Sequence, residues 1–264
     1  MSTNRLVSLK LALIMSNVIA LFAALPLVAA ERERGTPVLA ELFTSEGCSS
    51  CPPADALLAK LDRQLLPGVT VIVLSEHVDY WNRIGWTDPF SSPQASARQA
   101  SYARKFGLDS SYTPQLVIDG YDQFVGSDAR AIQGTLMRSA ANPKLPFHIA
   151  SAEQDRGNIT IHLQMDRLPE SSSFKTGEIW IALAAKHETS EVMRGENSGR
   201  TLDHVAVVRS LSKVGVATGR DEFTQTVRLP YEGRGTDMRI IAFVQQPGFG
   251  KVLGADMLEL PGSR

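Results

Sequence analysis

The chain has 264 residues, is 43% hydrophobic and 21% charged, and carries a formal charge of −1 at pH 7. That composition belongs to a folded chain rather than a disordered one. The balanced charge, with no basic stripe or interleaved aromatic run, excludes a nucleic-acid surface.

Residues 1–30 read as a secretory signal. Arg5 and Lys10 charge its start, no acidic residue precedes Glu31, Leu11 to Leu27 is apolar, and Val28-Ala29-Ala30 supplies small residues for cleavage. Ser16, Asn17 and Pro26 interrupt the apolar stretch, which favours removal over retention as an anchor. Nothing later is long and apolar enough to span a bilayer. The expectation is a periplasmic or secreted protein with no stable membrane span after signal cleavage.

Val38-Leu39-Ala40-Glu41-Leu42-Phe43 predicts a strand that ends at Thr44-Ser45-Glu46-Gly47. Next comes Cys48-Ser49-Ser50-Cys51, which holds both cysteines of the chain. A bridge across two residues closes almost no loop and adds little stability. The spacing suits thiol–disulfide exchange, in which one thiolate attacks and the second resolves the mixed disulfide. Half of a zinc site is the rival reading, but no second Cys pair exists and His77 is the only nearby histidine.

Leu57, Leu58, Leu61 and Leu65 then recur at helical spacing up to Pro67-Gly68, and Val69 to Leu74 predicts a buried strand. Pro52-Pro53 moves the expected helix start to Pro53. Ser92-Pro93 opens a helix that Gly107 closes. Leu116-Val117-Ile118 is a strand, Asp119-Gly120 a turn and Tyr121 to Val125 its return. A last helix, carrying Ile132, Leu136 and Met137, starts at Ser127-Asp128.

This order resembles the thioredoxin fold, with the cysteine pair between the first strand and first helix and Thr113-Pro114 just before the third strand. The resemblance implies a cis-proline at Pro114 facing the disulfide, with Thr113 helping to hold the substrate backbone. A cis X–Pro bond is usually kept for a tight structural job, and proline is tolerated at a strand start. The resemblance also implies a buried carboxylate that takes a proton from the resolving thiol. Glu41 is the candidate, since burial raises a carboxyl pKa toward neutrality; the alternative is a solvated strand-end acid. Gly47 departs from the tryptophan common at its position.

Residues 76–92 form an insert with Trp81, Trp86, Tyr80 and Phe90 that leaves the C-terminal end of a strand, where α/β folds place their sites. Its aromatics either staple the loop down or line the site, and Trp81 and Trp86 are expected to screen the disulfide and meet substrate. His77 reads as a simply hydrogen-bonded histidine, with tuning of the thiolate or joining the cysteines as a copper ligand as the functional alternatives.

From Lys144 the texture changes. Phe147 to Ala150, Ile159 to Leu163, Ile179 to Leu183, His204 to Val208, Phe223 to Leu229, Met238 to Val244 and Lys251 to Leu258 are strand-like runs at sandwich spacing. The segment from Arg194 to His204 is dense in functional groups. It reads as a solvated hairpin loop, or as a site for an acidic ligand or for docking the first domain.

The expected fold class is an α/β thioredoxin-like domain (31–143) followed by an all-β sandwich-like domain (144–264). Over nearly the whole chain beyond residue 30 this resembles an exported bacterial family, domain of unknown function 1223. The carrying residues are Glu41 to Asp55, His77-Val78-Asp79-Tyr80-Trp81 and Arg194-Gly195-Glu196-Asn197. The expected function is an exported thiol–disulfide oxidoreductase. Cys48 attacks because it is the more exposed thiol, Cys51 resolves, and no cofactor or metal is needed. Its partner is a protein or small thiol/disulfide substrate. The alternatives are a copper- or other metal-binding protein using the same thiols, and a non-catalytic interaction scaffold.

Overall fold

The computed structural model describes residues 35–231 and 237–260. The expected signal peptide and its cleavage site lie outside the described residues.

The first half contains β1 (Thr36–Thr44), α1 (Pro52–Arg63), β2 (Val69–His77), a short 3-10 turn (Tyr80–Arg83), α2 (Pro93–Phe106), β3 (Gln115–Ile118), β4 (Asp122–Val125) and α3 (Ala129–Ala140). The local signals act as expected. The Ser92 side chain accepts from the Ala95 N–H, Pro93 follows as the first helical residue, and Gly107 closes α2. α1 begins at Pro52 rather than Pro53, with Cys51 as its N-cap residue. β1 pairs parallel with β2 and antiparallel with β3, which pairs with β4. Alternation along β1 turns Val38, Ala40 and Leu42 toward Leu58 and Leu61 of α1 and Ile132 and Leu136 of α3. Leu39, Glu41 and Phe43 point to the opposite face, where α2 packs.

All seven strand-like runs of the second half form strands: β5 (Phe147–Asp155), β6 (Asn158–Met165), β7 (Thr176–Val192), β8 (Arg200–Thr218), β9 (Phe223–Pro230), β10 (Met238–Gln245) and β11 (Val252–Leu260). They do not form a separate sandwich domain behind an α/β thioredoxin-like one. β7 and β8 are far longer than their apolar centres, and β8 lies beside β2 through the parallel pair Ser75 and Val207. The result is a mostly-β body. One mixed eight-stranded sheet, ordered β11-β10-β7-β8-β2-β1-β3-β4, runs through both halves, and β5-β6-β9 forms a smaller sheet. Their facing apolar residues, including Ile161, Leu163, Ile181 and Ile240, make one core.

The expected division fails because of polar residues at a strand end. The apolar reading stops β2 at Leu74, whereas the strand continues through Ser75, Glu76 and His77, all buried. Those three residues lie where β8 joins. Apolar contact crosses the same line, with Leu39, Ile72 and Leu74 packed against Ala182, Ala184, Ile241 and Phe243. Asp62 of α1 holds Arg239 of β10 bidentately at 2.5 and 2.9 Å. The buried Asp119 carboxylate accepts from the Leu39 N–H at 3.0 Å and from Lys144 Nζ at 2.5 Å. Among the described residues no helix is long and apolar enough to cross a membrane.

This continuity predicts that a fragment of residues 31–143 does not fold alone, because it would expose the Leu39–Ile72–Leu74 face and the β2 edge. Expressed by itself it should give the collapsed amide dispersion of an unfolded chain in a proton–nitrogen correlation spectrum. A well-dispersed spectrum from the fragment would restore the independent first domain.

Candidate functional site

β1 ends at Thr44, and a turn carries the chain into Cys48-Ser49-Ser50-Cys51, where the Cys48 N–H donates to the Ser45 carbonyl at 3.2 Å. Cys48 and Cys51 are joined as a disulfide. Both are 0% exposed, while Ser49 and Ser50 face solvent. The expectation that Cys48 is the more exposed thiol is therefore corrected: the motif shows its serines and hides its sulfurs. Cys48 Sγ lies 3.4 Å from the Ser50 hydroxyl. Pro52 and Pro53 have no N–H, and the next amides, Ala54 and Asp55, donate to the Cys51 carbonyl at 2.8 and 3.1 Å. The first turn of α1 thus spends its donors within the helix.

Two loops meet over this turn. From the insert, Trp81 packs so closely on Gly47 that a side chain there would lie 3.1 Å from the Trp81 Cβ. The Trp81 indole N–H donates to Thr113 Oγ1 at 2.8 Å, so one ring reaches from the cysteine turn to the cis Thr113–Pro114 step. The Trp86 indole N–H donates to Glu46 Oε2 at 2.7 Å. The second loop is the β7–β8 connection. Gly195, at φ +78°, packs against Trp86 in a backbone conformation that side chains rarely adopt. Glu196 Oε2 accepts from the Ser49 N–H at 3.0 Å. The buried Asn197 donates through Nδ2 to the carbonyls of Glu46 and Cys48 at 2.8 and 2.9 Å, and Arg200 holds its Oδ1 at 2.9 Å. Within the Arg194–His204 segment, Arg194 to Gly199 belong to the β7–β8 connection, whose tip docks on the cysteine turn, and Arg200 to His204 begin β8.

Beneath the turn lies a buried group of ionisable side chains. In β1 and β2, Thr44 and His77 are register partners and so share the face that α1 covers. His77 Nδ1 meets Asp88 Oδ2 at 2.7 Å, and the His77 and His204 rings stand edge to face at 4.6 Å. His204 Nε2 lies 3.4 Å from Glu46 Oε1, and its Nδ1 lies 4.0 Å from Asp55 Oδ1. Burial pulls the His204 pKa down, but Glu46, Asp55 and Asp88 outweigh it and hold His204 above its ordinary value. Burial raises Asp55, with His204 and His77 opposing. Burial also pushes Asp88 upward, yet His77 and the amides of Glu46 and Phe90 hold it below the usual carboxylate range.

Glu41 is placed elsewhere. It faces α2, where Glu41 Oε2 accepts from Arg98 Nε and Oε1 from the Tyr102 hydroxyl, both at 2.6 Å. It is buried rather than a solvated strand-end acid, but on the face opposite α1 and committed to an ion pair. The structure brings Trp81, Trp86 and Thr113 to the cysteine turn and leaves Glu41 out. His77 spends Nδ1 on Asp88, and among the described residues no group of three His, Cys, Asp or Glu side chains is arranged to hold a metal ion. Sequence reasoning missed Glu46, Asp55, Asp88 and Asn197 as site residues. Only the Arg194–His204 segment carried a signal, as a possible docking surface.

A family model described as "Protein of unknown function (DUF1223)" matches residues 39–245. The crystal structure of protein AGR_C_4864 from Agrobacterium tumefaciens is 25% identical and superposes with a TM-score of 0.66, covering 88% of this chain and 98% of that one. HBP35 of Porphyromonas gingivalis, 15% identical, gives a TM-score of 0.62 over 86% of this chain and 76% of its own, a likeness of fold alone. No curated protein matches the chain.

Replacing Asn197 with Ala takes the side-chain donor from the buried Glu46 and Cys48 carbonyls and leaves the Cys48 carbonyl only the Cys51 N–H. It should cost about 2–4 kcal/mol in a denaturant titration. It should also speed reduction of the disulfide by dithiothreitol; an unchanged rate would show that the hairpin tip does not guard the sulfurs.

His204 and Asp55 bind protons more tightly folded than unfolded. Their contribution is complete below the unfolded pKa values and is lost as pH rises through the elevated folded ones. Asp88 acts in the opposite sense, contributing above its unfolded pKa and losing that contribution as pH falls through its depressed folded value. Unfolding free energy should therefore decline as pH rises above the ordinary histidine value of about 6.5, with a smaller slope in His204→Gln. Equal slopes in both proteins would remove His204 from this linkage.

Proposed function

The chain belongs to the DUF1223 family, and we propose that it is an exported thiol–disulfide oxidoreductase acting through Cys48 and Cys51 on a protein or small-molecule disulfide. The observation that carries this reading is the bonded Cys48–Cys51 pair set over the buried ionisable group of His204, Glu46 and Asp55. Such a bridge adds little to stability, and exchange is what its spacing suits. The signal-like residues 1–30 support a periplasmic or secreted location, where disulfides persist.

In the reducing direction, the Cys48 thiolate attacks one sulfur of the substrate disulfide. That bond breaks, the Cys48–substrate bond forms, and the departing substrate sulfur takes a proton. The Cys51 thiolate then attacks Cys48 Sγ, releases the second substrate thiolate and restores the Cys48–Cys51 bond. Two electrons pass from the protein dithiol to the substrate. Oxidation of a substrate dithiol is the same sequence in reverse.

The Ser50 hydroxyl is the donor nearest the Cys48 sulfur and stabilises its thiolate. Thr113 and Pro114 seat the substrate strand, and Trp81 and Trp86 form the cover through which it must reach the sulfurs. A cover of this kind makes the enzyme selective among disulfides.

Cys51→Ser should accumulate mixed disulfides through Cys48, detected as reductant-sensitive adducts by mass spectrometry. Ser50→Ala in the same background should slow alkylation of Cys48 at neutral pH by on the order of fivefold. A Cys51→Ser protein that captures no partner and whose Cys48 resists alkylation would end the enzymatic reading. Full biological function in a Cys48→Ser, Cys51→Ser double variant would assign the protein to the scaffold class instead.

A further inference from the structure

Both cysteines of the Cys48–Cys51 bridge are buried, so a reagent that reaches the sulfurs must first displace what lies over the turn. The contacts that hold this cover down converge on one residue. At Oε2 the Glu46 carboxylate accepts from the Trp86 indole N–H at 2.7 Å and from the Ser190 hydroxyl at 3.1 Å. The Glu46 carbonyl accepts from Asn197 Nδ2 at 2.8 Å, and its N–H donates to Asp88 Oδ2 at 2.9 Å. The insert, β7 and the β7–β8 connection are thus all fastened to one fully buried glutamate beside the first cysteine.

A buried carboxylate needs a counter-charge close by. Among the described residues no lysine or arginine pairs with Glu46, Asp55 or Asp88. Asp88 is answered by His77 Nδ1 and by the amides of Glu46 and Phe90. His204 is left for the other two and stands between them, Nε2 at 3.4 Å from Glu46 Oε1 and Nδ1 at 4.0 Å from Asp55 Oδ1. These four atoms are buried and have no hydrogen-bond partner elsewhere. With a carboxylate before each ring nitrogen, only the protonated ring has a donor for both. A neutral imidazole carries one N–H and turns a lone pair on one of the two acids.

The surroundings add no second cation. His77 of β2 stands edge to face with His204, and Phe90 of the insert packs on the same ring. Arg209 lies beyond Phe90 and is paired with Glu188. The exposed Arg63, His187 and Asp203 line the cleft on the α1 side, where His187 and Asp203 face each other at 3.5 Å. Burial opposes the charge on His204, but Glu46, Asp55 and Asp88 outweigh it, in the direction the geometry requires.

We propose that the His204–Glu46 pair is a pH-operated latch on the cover of the disulfide. With His204 protonated the cover is fastened; loss of that proton leaves Glu46 a buried carboxylate without a counter-charge and frees the insert and the β7–β8 connection from the cysteine turn. The latch regulates the site described above and rests on the reading that Cys48–Cys51 exchanges with thiols.

Reduction of the intact protein by dithiothreitol tests this, because that chemistry needs no physiological partner. The rate at each pH is divided by the rate at which dithiothreitol reduces oxidised glutathione, which removes the reagent's own thiolate fraction. In the wild-type protein this ratio should rise about tenfold or more across the histidine titration, with a midpoint above the ordinary value of about 6.5. In His204→Gln, which has no proton to lose, the ratio should be high and independent of pH. Asp55→Asn keeps Glu46 and the ring but removes one of the two acids, so the midpoint should move to lower pH; this variant carries the test if His204→Gln does not fold. A flat ratio in the wild-type protein, a rise that persists in folded His204→Gln, or an unmoved midpoint in Asp55→Asn would each overturn the latch alone. A bridge that dithiothreitol reduces at no pH would end the oxidoreductase reading and the latch with it.

Discussion

The edge of β2 would stand open to solvent if β8 did not lie beside it, and most of the molecule follows from that closure. An exposed strand edge presents unpaired backbone groups and invites aggregation, so covering it is a strong constraint. The Ser75–Val207 pairing turns two sets of strands into one sheet. It also sets the place of the β7–β8 hairpin, whose far end carries Glu196 and Asn197 onto the cysteine turn. Val205 and Ala206, next to the junction, pack into the core formed by β1 and α1. The second half of the chain is thus part of the wall around the disulfide.

At the same junction, three consecutive polar residues at the end of β2 serve two clusters on opposite faces. Glu76 turns toward α2 and joins Glu41 and Arg98. Ser75 and His77 turn toward α1, where His77 meets Asp88 and His204. Each cluster brings charges out of water at a cost of several kcal/mol per ion, which only close opposite charges and hydrogen bonds offset. The alternation of a strand keeps the two clusters apart, so a carboxylate on β1 can be deeply buried and still be remote from the cysteine chemistry.

The cysteine turn is held through its backbone groups, which side chains of the neighbouring loops grip. Asn197 grips the carbonyls on either side of Gly47, and Glu196 grips the Ser49 amide. Trp81 closes the remaining side and is anchored at Thr113.

How much was legible in the sequence depends on the range of the interaction involved. Short-range effects were readable directly. The Ser92 cap and Pro93 start of α2, the Asp119-Gly120 turn, the apolar centres of every strand and the isolated cysteine pair all follow from backbone geometry and periodicity within a few residues. Even so, Leu65 and Met137, given to packed helical faces, are exposed, because a helical period alone does not say where the helix ends or how wide its buried face is. The expectation of two domains went wrong at Ser75-Glu76-His77, since polar residues read as a strand end whether or not another strand covers them. Glu41 read equally as a buried carboxylate or a solvated strand-end acid; it is buried, and its partner Arg98 lies on another element and could not be assigned from the chain. Asn197 and His204 stand in a segment that sequence could mark only as unusual. Local elements are decided by neighbours in the chain; the single sheet, and the set of groups gathered around Cys48 and Cys51, are decided by the pairing of strands far apart in sequence, which leaves no local pattern.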